Sequence, residues 1–221
     1  MCGRFITNIP ADLLEEIFNL QELPQLEPRF NVAPSQLSAV VRNQGDHNRL
    51  DLLKWGLVPG WSKEPSIGSQ MINARCETVM EKPAFRQAIK YHRCIIPASG
   101  FYEWQICGEH RKQPWLFRMA DHSPLWLAGL WETWKIPTGG QLETFCILTT
   151  SANQLVKPIH ERMPVMLTPD TFTLWLSHNM HDPEQLQPFY QPFPAAEMIA
   201  HKVPDLVNNP RFDSPACIAQ V

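Results

Sequence analysis

The sequence predicts an α+β fold, a single domain over residues 1–221 with a curved, mainly antiparallel β core and peripheral helices. Three observations carry this. The apolar stretches, at 93–98, 101–105, 114–119, 125–134 and 143–150, are short and read as strands. Proline occurs 21 times against 10 glycines, spread along the chain, which breaks helices and stiffens the connections between strands. No repeat or linker divides the 221 residues, a length that suits one domain able to bury its own core.

Taken in order, Phe5-Ile6-Thr7 reads as a short strand. A helix over 10–20 follows, capped by Asn8 or Thr7, with Pro10 in its first turn and Asp12 at its positive end. Leu13, Leu14, Ile17 and Phe18 share one face of it. Residues 29–34 are extended, and strands at 37–42 and 49–55 flank a turn at 43–46. Residues 55–61 form a tight aromatic loop, and 63–70 read as flexible. A helix is expected to begin near Pro83, with Phe85, Ala88 and Ile89 inward, and 108–113 is a polar hairpin loop. Ser151-Ala152-Asn153 is expected to cap a short helix ending before Pro158. Thr168-Pro169-Asp170 opens a helix through Ser177. A second short helix, a strand at 196–203 and an irregular tail complete the chain.

Composition excludes several classes. No run approaches the roughly 18 apolar residues of a membrane span, and the N-terminus lacks a signal peptide's apolar core. The six cysteines include no C-x-x-C pair, so neither a zinc site nor a disulfide framework is expected, and the reading is a reduced cytoplasmic protein. The loose His178/His181 pair lacks carboxylate or thiolate companions. A net charge of −3 gives no general support for a polyanion partner. Arg4, Arg29, Arg75 and Arg162, however, sit beside glycine, asparagine and aromatics, leaving room for a local basic groove on an acidic body.

The chemistry begins at Met1-Cys2-Gly3-Arg4. Removal of Met1 would leave Cys2 with an α-amine titrating at about 7.7–8.0 beside a thiol at about 8.5, each with a reactive fraction at neutral pH. Such a 1,2-aminothiol condenses with an aldehyde to an imine, which the thiol closes to a thiazolidine. It also suits an N-terminal-nucleophile amidohydrolase. Read locally, Cys2 is first of all a small residue at a frayed terminus. Glu103 lies in an apolar strand, where burial would raise its pKa and make it a general acid; strand alternation alone would turn it to solvent. His160, in a polar segment, can shuttle protons. Asn73 and Arg75, two apart on a strand, share a face and pair an orienting amide with a phosphate-binding guanidinium. Trp55 and Trp61 are either base-stacking platforms or core.

Together these segments resemble the SRAP family, the SOS response-associated or abasic-site processing proteins. The resemblance rests on seven motifs in family order: M-C-G-R at 1–4, R-F-N-V-A-P at 29–34, W-G-L-V-P-G-W at 55–61, N-A-R-C-E-T at 73–78, C-I-I-P-A-S-G-F-Y-E-W at 94–104, A-G-L-W-E at 128–132 and H-E-R-M-P at 160–164. It implies a monomeric sensor of abasic sites in single-stranded DNA that forms a thiazolidine cross-link through Cys2. Asn73 would hold Cys2, Glu103 would assist proton transfer, and His160 would act on the sugar hydroxyl. Arg4, Arg75 and Arg162 would contact phosphates, Thr149 would donate a hydroxyl, and Trp61 would stack or fill the gap. Ser62 departs from members that carry a second aromatic there. The resemblance further implies weak lyase activity, self-removal of Met1 at most as peptidase activity, no metal or organic cofactor, and a cytoplasmic, nucleoid-associated location.

Overall fold

The computed structural model describes residues 2–108, 111–180 and 182–221, so Met1, His181 and two residues of the 108–113 loop lie outside the description. Thirteen strands are present among the described residues: β1 (Phe5–Thr7), β2 (Arg29–Val32), β3 (Leu37–Asn43), β4 (Asn48–Trp55), β5 (Asn73–Arg75), β6 (Arg93–Ala98), β7 (Gly100–Ile106), β8 (Lys112–Met119), β9 (Leu125–Lys135), β10 (Gln141–Ser151), β11 (Arg162–Pro164), β12 (Met166–Leu167) and β13 (Met198–Lys202). The α-helices are α1 (Ala11–Phe18), α2 (Ala88–Tyr91), α3 (Phe172–Leu176) and α4 (Pro183–Leu186).

The larger sheet runs β11-β10-β4-β3-β6-β9-β12, and an additional β10–β9 pairing closes β4, β3, β6, β9 and β10 into a ring. Only the β10 pairings with β4 and β5 are parallel; the others are antiparallel. Closure brings strands very near at Gly129. A Cβ there would lie 2.2 Å from Ile96 Cδ1 and 2.9 Å from the Cys146 carbonyl, so only glycine fits.

Alternation along the strands divides the interior in two. Val40, Cys94, Ile96, Leu127, Phe145 and Ile147 face the smaller five-stranded sheet, packing with its Phe5, Phe101 and Phe117. Val41, Ile95, Ala128, Leu130, Cys146 and Leu148 face the helices, meeting Leu14 and Phe18 of α1 and Phe172 and Trp175 of α3.

The smaller sheet has the order β13-β8-β7-β1-β2, so β1 is paired on both sides, by β7 and β2. Its far face is covered too: Ile6, Tyr102 and Leu116 pack against Val203 and Val207 of the C-terminal segment. Asn31 fastens that segment, its amide donating to the carbonyls of Val207, Asn209 and Phe212 at 3.3, 3.0 and 2.8 Å. Asp213 accepts the Phe30 and Asn31 N–H groups.

Several expectations change. α1 spans Ala11–Phe18, and no side chain caps it; Asn8 is engaged instead with Ser99, whose hydroxyl accepts its N–H at 3.0 Å. Residues 63–70 contain an ordered 3-10 helix at Pro65–Gln70, because Gly68 packs so tightly on Gly56 that a Cβ would meet the Gly56 carbonyl at 2.6 Å. The helix expected from Pro83 shrinks to Ala88–Tyr91 after a series of turns. Asn153 caps a turn rather than a helix, accepting from Leu155 N and Val156 N. Among the described residues no helix is long and apolar enough to cross a membrane.

Candidate active site

Two junctions of backbone build the site. At the first, Tyr102 N–H donates to the Arg4 carbonyl at 3.0 Å and Phe5 pairs with Phe101, which carries Cys2 alongside Glu103. At the second, the end of β10 is flanked by β5 in parallel, with Ile147 opposite Asn73 and Thr149 opposite Arg75, and by β11, with Ser151 opposite Arg162. Asn73 joins the two: its amide Nδ2 donates to the Cys2 carbonyl at 2.9 Å.

Cys2 is fully buried, its thiol directed to the Arg4 carbonyl at 3.6 Å. Burial, and after it the charge of Glu103, pushes the thiol far above its ordinary range. The expected reactive thiolate fraction at neutral pH is therefore absent; in this setting the sulfur is a neutral thiol.

Glu103 is 2% exposed, because β7 is covered on one face by the core and on the other by the C-terminal segment. Sequence alone does not say which side of this strand is inward; in the fold Glu103 shares the Phe101 side, toward the core that holds Cys2. Burial raises the Glu103 pKa, opposed by the nearby His160. His160 Nδ1 lies 3.9 Å from Glu103 Oε1, beyond direct hydrogen-bond range. The Arg162 N–H donates to that same Nδ1 at 3.0 Å, and the Arg162 carbonyl lies 3.3 Å from it, which fixes the ring against β11.

The expected strand-binding residues separate into groups. Arg4 is the most exacting: its Nε and Nη1 are buried and have no hydrogen-bond partner among the described residues. Burial lowers its pKa, so the cation is held where an anion would relieve it. Arg75 is exposed. Arg162 is gripped by Glu77 through two bonds of 2.6 and 2.8 Å and also donates to the Thr149 carbonyl at 2.6 Å. Thr149 itself is fully buried, its hydroxyl donating to the Ala74 carbonyl at 3.3 Å, so it does not present a donor at the surface. Trp55 is core, with Nε1 on the Ile72 carbonyl and its ring against Phe5. Trp61 is 62% exposed, on a loop fastened where Trp134 Nε1 donates to the Ser62 carbonyl.

Glu103, His160 and Arg4 open onto a cleft of about 770 Å³. Trp104, Arg111 and Lys112 of the β7–β8 hairpin line it, as do Asp205 and Asn208 of the C-terminal segment. Trp104 Nε1 donates to Asn208 Oδ1 at 2.7 Å, bracing hairpin to tail. Trp61 does not line this cleft. Sequence reading missed Arg111, Lys112 and Asn208. The adjacent basic pair in a polar hairpin was the available signal, but only β7–β8 pairing sets it beside Glu103.

Cys2 is thus buried and held by Asn73, and Glu103 and His160 share one cleft. The chain belongs to the SOS response associated peptidase (SRAP) family, whose profile matches residues 1–210. It is 44% identical over 221 residues to the abasic site processing protein YoqW of Bacillus subtilis (strain 168), covering 99% of each chain. It is 32% identical over 190 residues to the abasic site processing protein YedK of Escherichia coli (strain K12), covering 83% of each. A crystal structure of a protein from Bacteroides thetaiotaomicron superposes with a TM-score of 0.76 at 27% identity, over 85% of this chain and 82% of that one.

Proposed function

We propose that this protein recognises abasic sites in single-stranded DNA and links to them covalently through Cys2. The observation that carries the reading is that Asn73 holds the Cys2 carbonyl while Glu103, His160 and Arg4 share one cleft, with Arg4 Nε and Nη1 lacking a partner among the described residues. The abasic-site processing named for its relatives points the same way.

With Met1 removed, the Cys2 α-amine attacks the C1′ aldehyde of the ring-opened deoxyribose to give a carbinolamine. Protonated Glu103 donates to the departing hydroxyl, water leaves, and a Schiff base forms. The Cys2 sulfur then adds to the imine carbon while the thiol proton passes to nitrogen, closing the thiazolidine. A carboxyl group whose pKa burial raises suits the acid step. A thiol kept neutral suits the order amine first, sulfur second. It fits less well the alternative of an N-terminal-nucleophile peptidase, which calls for thiolate attack. His160 serves the sugar hydroxyl during ring opening and reversal. The imine also acidifies the C2′ hydrogen, so a weak lyase reaction competes with ring closure. Arg4 and Arg75 hold backbone phosphates, with Arg111 and Lys112 extending the basic wall, and Trp61 offers an exposed ring to a base.

The test is intact mass and denaturing electrophoresis of Met1-free protein mixed with an abasic or an intact oligonucleotide. The expected result is a denaturation-stable adduct with the abasic strand alone, lost in Cys2→Ala. An adduct of unchanged mass and yield in Cys2→Ala would overturn the mechanism.

A further inference from the structure

The grip of Glu77 on Arg162 bears on how strands are selected. Both terminal nitrogens of the guanidinium face the Glu77 carboxylate, Nη1 to Oε1 at 2.6 Å and Nη2 to Oε2 at 2.8 Å. The other Nη2 hydrogen goes to the Thr149 carbonyl at 2.6 Å, and Nε is buried. A phosphate seeking a two-point hold on Arg162 finds that face taken. The Glu77 side chain is 50% exposed and that of Arg162 is 15% exposed, so the carboxylate is the more solvent-facing partner. An anion arriving from solution meets a negative charge before the positive one.

We infer that Glu77 is a specificity-determining residue that closes the phosphate position of Arg162 in the free protein. This rests on the strand-binding reading above. A strand gains the Arg162 contact only by exchanging its phosphate for the carboxylate. Partly exposed ion pairs are weak enough to exchange. The exchange nonetheless removes most of the electrostatic gain, so Arg162 adds little affinity for an ordinary undamaged strand. Retention is left to the covalent step at Cys2, which an intact strand cannot undergo. The exchange need not disturb His160, because its contact is with the Arg162 backbone N–H, and that backbone is held by β10–β11 pairing.

The experiment is equilibrium binding of an undamaged single-stranded oligonucleotide across a salt series, alongside adduct kinetics at saturating abasic strand. Glu77→Gln should bind the undamaged strand about five- to tenfold tighter, with the slope of log K against log salt steeper by about 0.7, the value of one added phosphate contact on a single strand. Its adduct rate should stay within about twofold of the parent. In an Arg162→Ala background the same substitution should leave the slope unchanged. Glu77→Ala, with thermal melting as a folding control, should repeat the pattern. Weaker or equal binding in Glu77→Gln, or the same steepening without Arg162, would overturn the inference. Predicted binding changes without any adduct in the parent would leave the exchange standing and remove the cross-linking reading instead.

Discussion

Arg42 and Arg93 lie in the barrel region and Arg4 lies at the cleft, and the three treat a buried guanidinium in opposite ways. Arg42 is 4% exposed and bonded to Asp51 at 2.7 Å and to both oxygens of Glu143, with its planar head over Trp131 at 4.4 Å. Arg93 is 5% exposed and donates to the carbonyls of Ile89, Lys90, Trp175 and Ser177, closing the ends of α2 and α3. Arg4 leaves Nε and Nη1 without a partner among the described residues. Leaving buried donors unpaired is costly, and a fold that satisfies its structural cations so fully has the means to avoid it. Arg4 differs from both in leaving two buried donors without a partner among the described residues, and on the strand-binding reading proposed above a phosphate would complete them.

Glu103 extends the contrast to an acid and gives the largest expected effect. Glu103→Gln should slow adduct formation by about 10²–10⁴-fold, the usual reach of a general acid. Its stability should move the other way. Because burial raises the folded-state pKa of Glu103, the native protein holds more protons than the unfolded chain between the unfolded and folded values, and stability falls as pH rises through that window. Melting curves should therefore coincide for parent and Glu103→Gln below about pH 4, where the acid is protonated in both states. At pH 7 the variant should melt higher. A lower melting point at pH 7 would mean that the carboxylate is a structural partner, on the side of Arg42.

Arg93→Ala tests the structural side. Removing a buried donor that serves four carbonyls should cost about 3 kcal/mol or more, which for a chain of this size lowers Tm by roughly 6–12 °C. The adduct formed per folded molecule should not change. The smallest stability effect belongs to Arg4→Met, which keeps the apolar stem and removes the unpaired charge. Its unfolding free energy should not fall below that of the parent, because no native partner is lost, while the salt slope for strand binding shrinks by about 0.7. Loss of stability comparable to Arg93→Ala would erase the distinction between the two kinds of arginine.

The reactive residues were legible because their chemistry is carried by residue type in short motifs. An aminothiol at position 2, an acid amid aromatics and an Asn-x-Arg pair can be named without coordinates. Their state could not. Glu103 shares the Phe101 side of β7, which faces the core that holds Cys2, while Tyr102 on the opposite side meets Val203 and Val207. Thr149 sits in a motif-rich region, yet β5–β10 pairing turns its hydroxyl onto Ala74. Arg162 reads as a free cation until β10 sets Glu77 and Arg162, 85 residues apart, within a shared bidentate grip.

By itself, then, the sequence determined the α+β class, most strand positions and the identity of the groups at the site, because periodicity, proline placement and side-chain chemistry are local properties. Tertiary structure decided the state of those groups: a thiol and a carboxyl whose pKa values burial raises, one arginine with two buried nitrogens that find no partner among the described residues, and another engaged by Glu77. Each of these depends on burial and on charges brought from distant strands. Desolvation and Coulomb interaction act through space, and spacing along the chain does not record them.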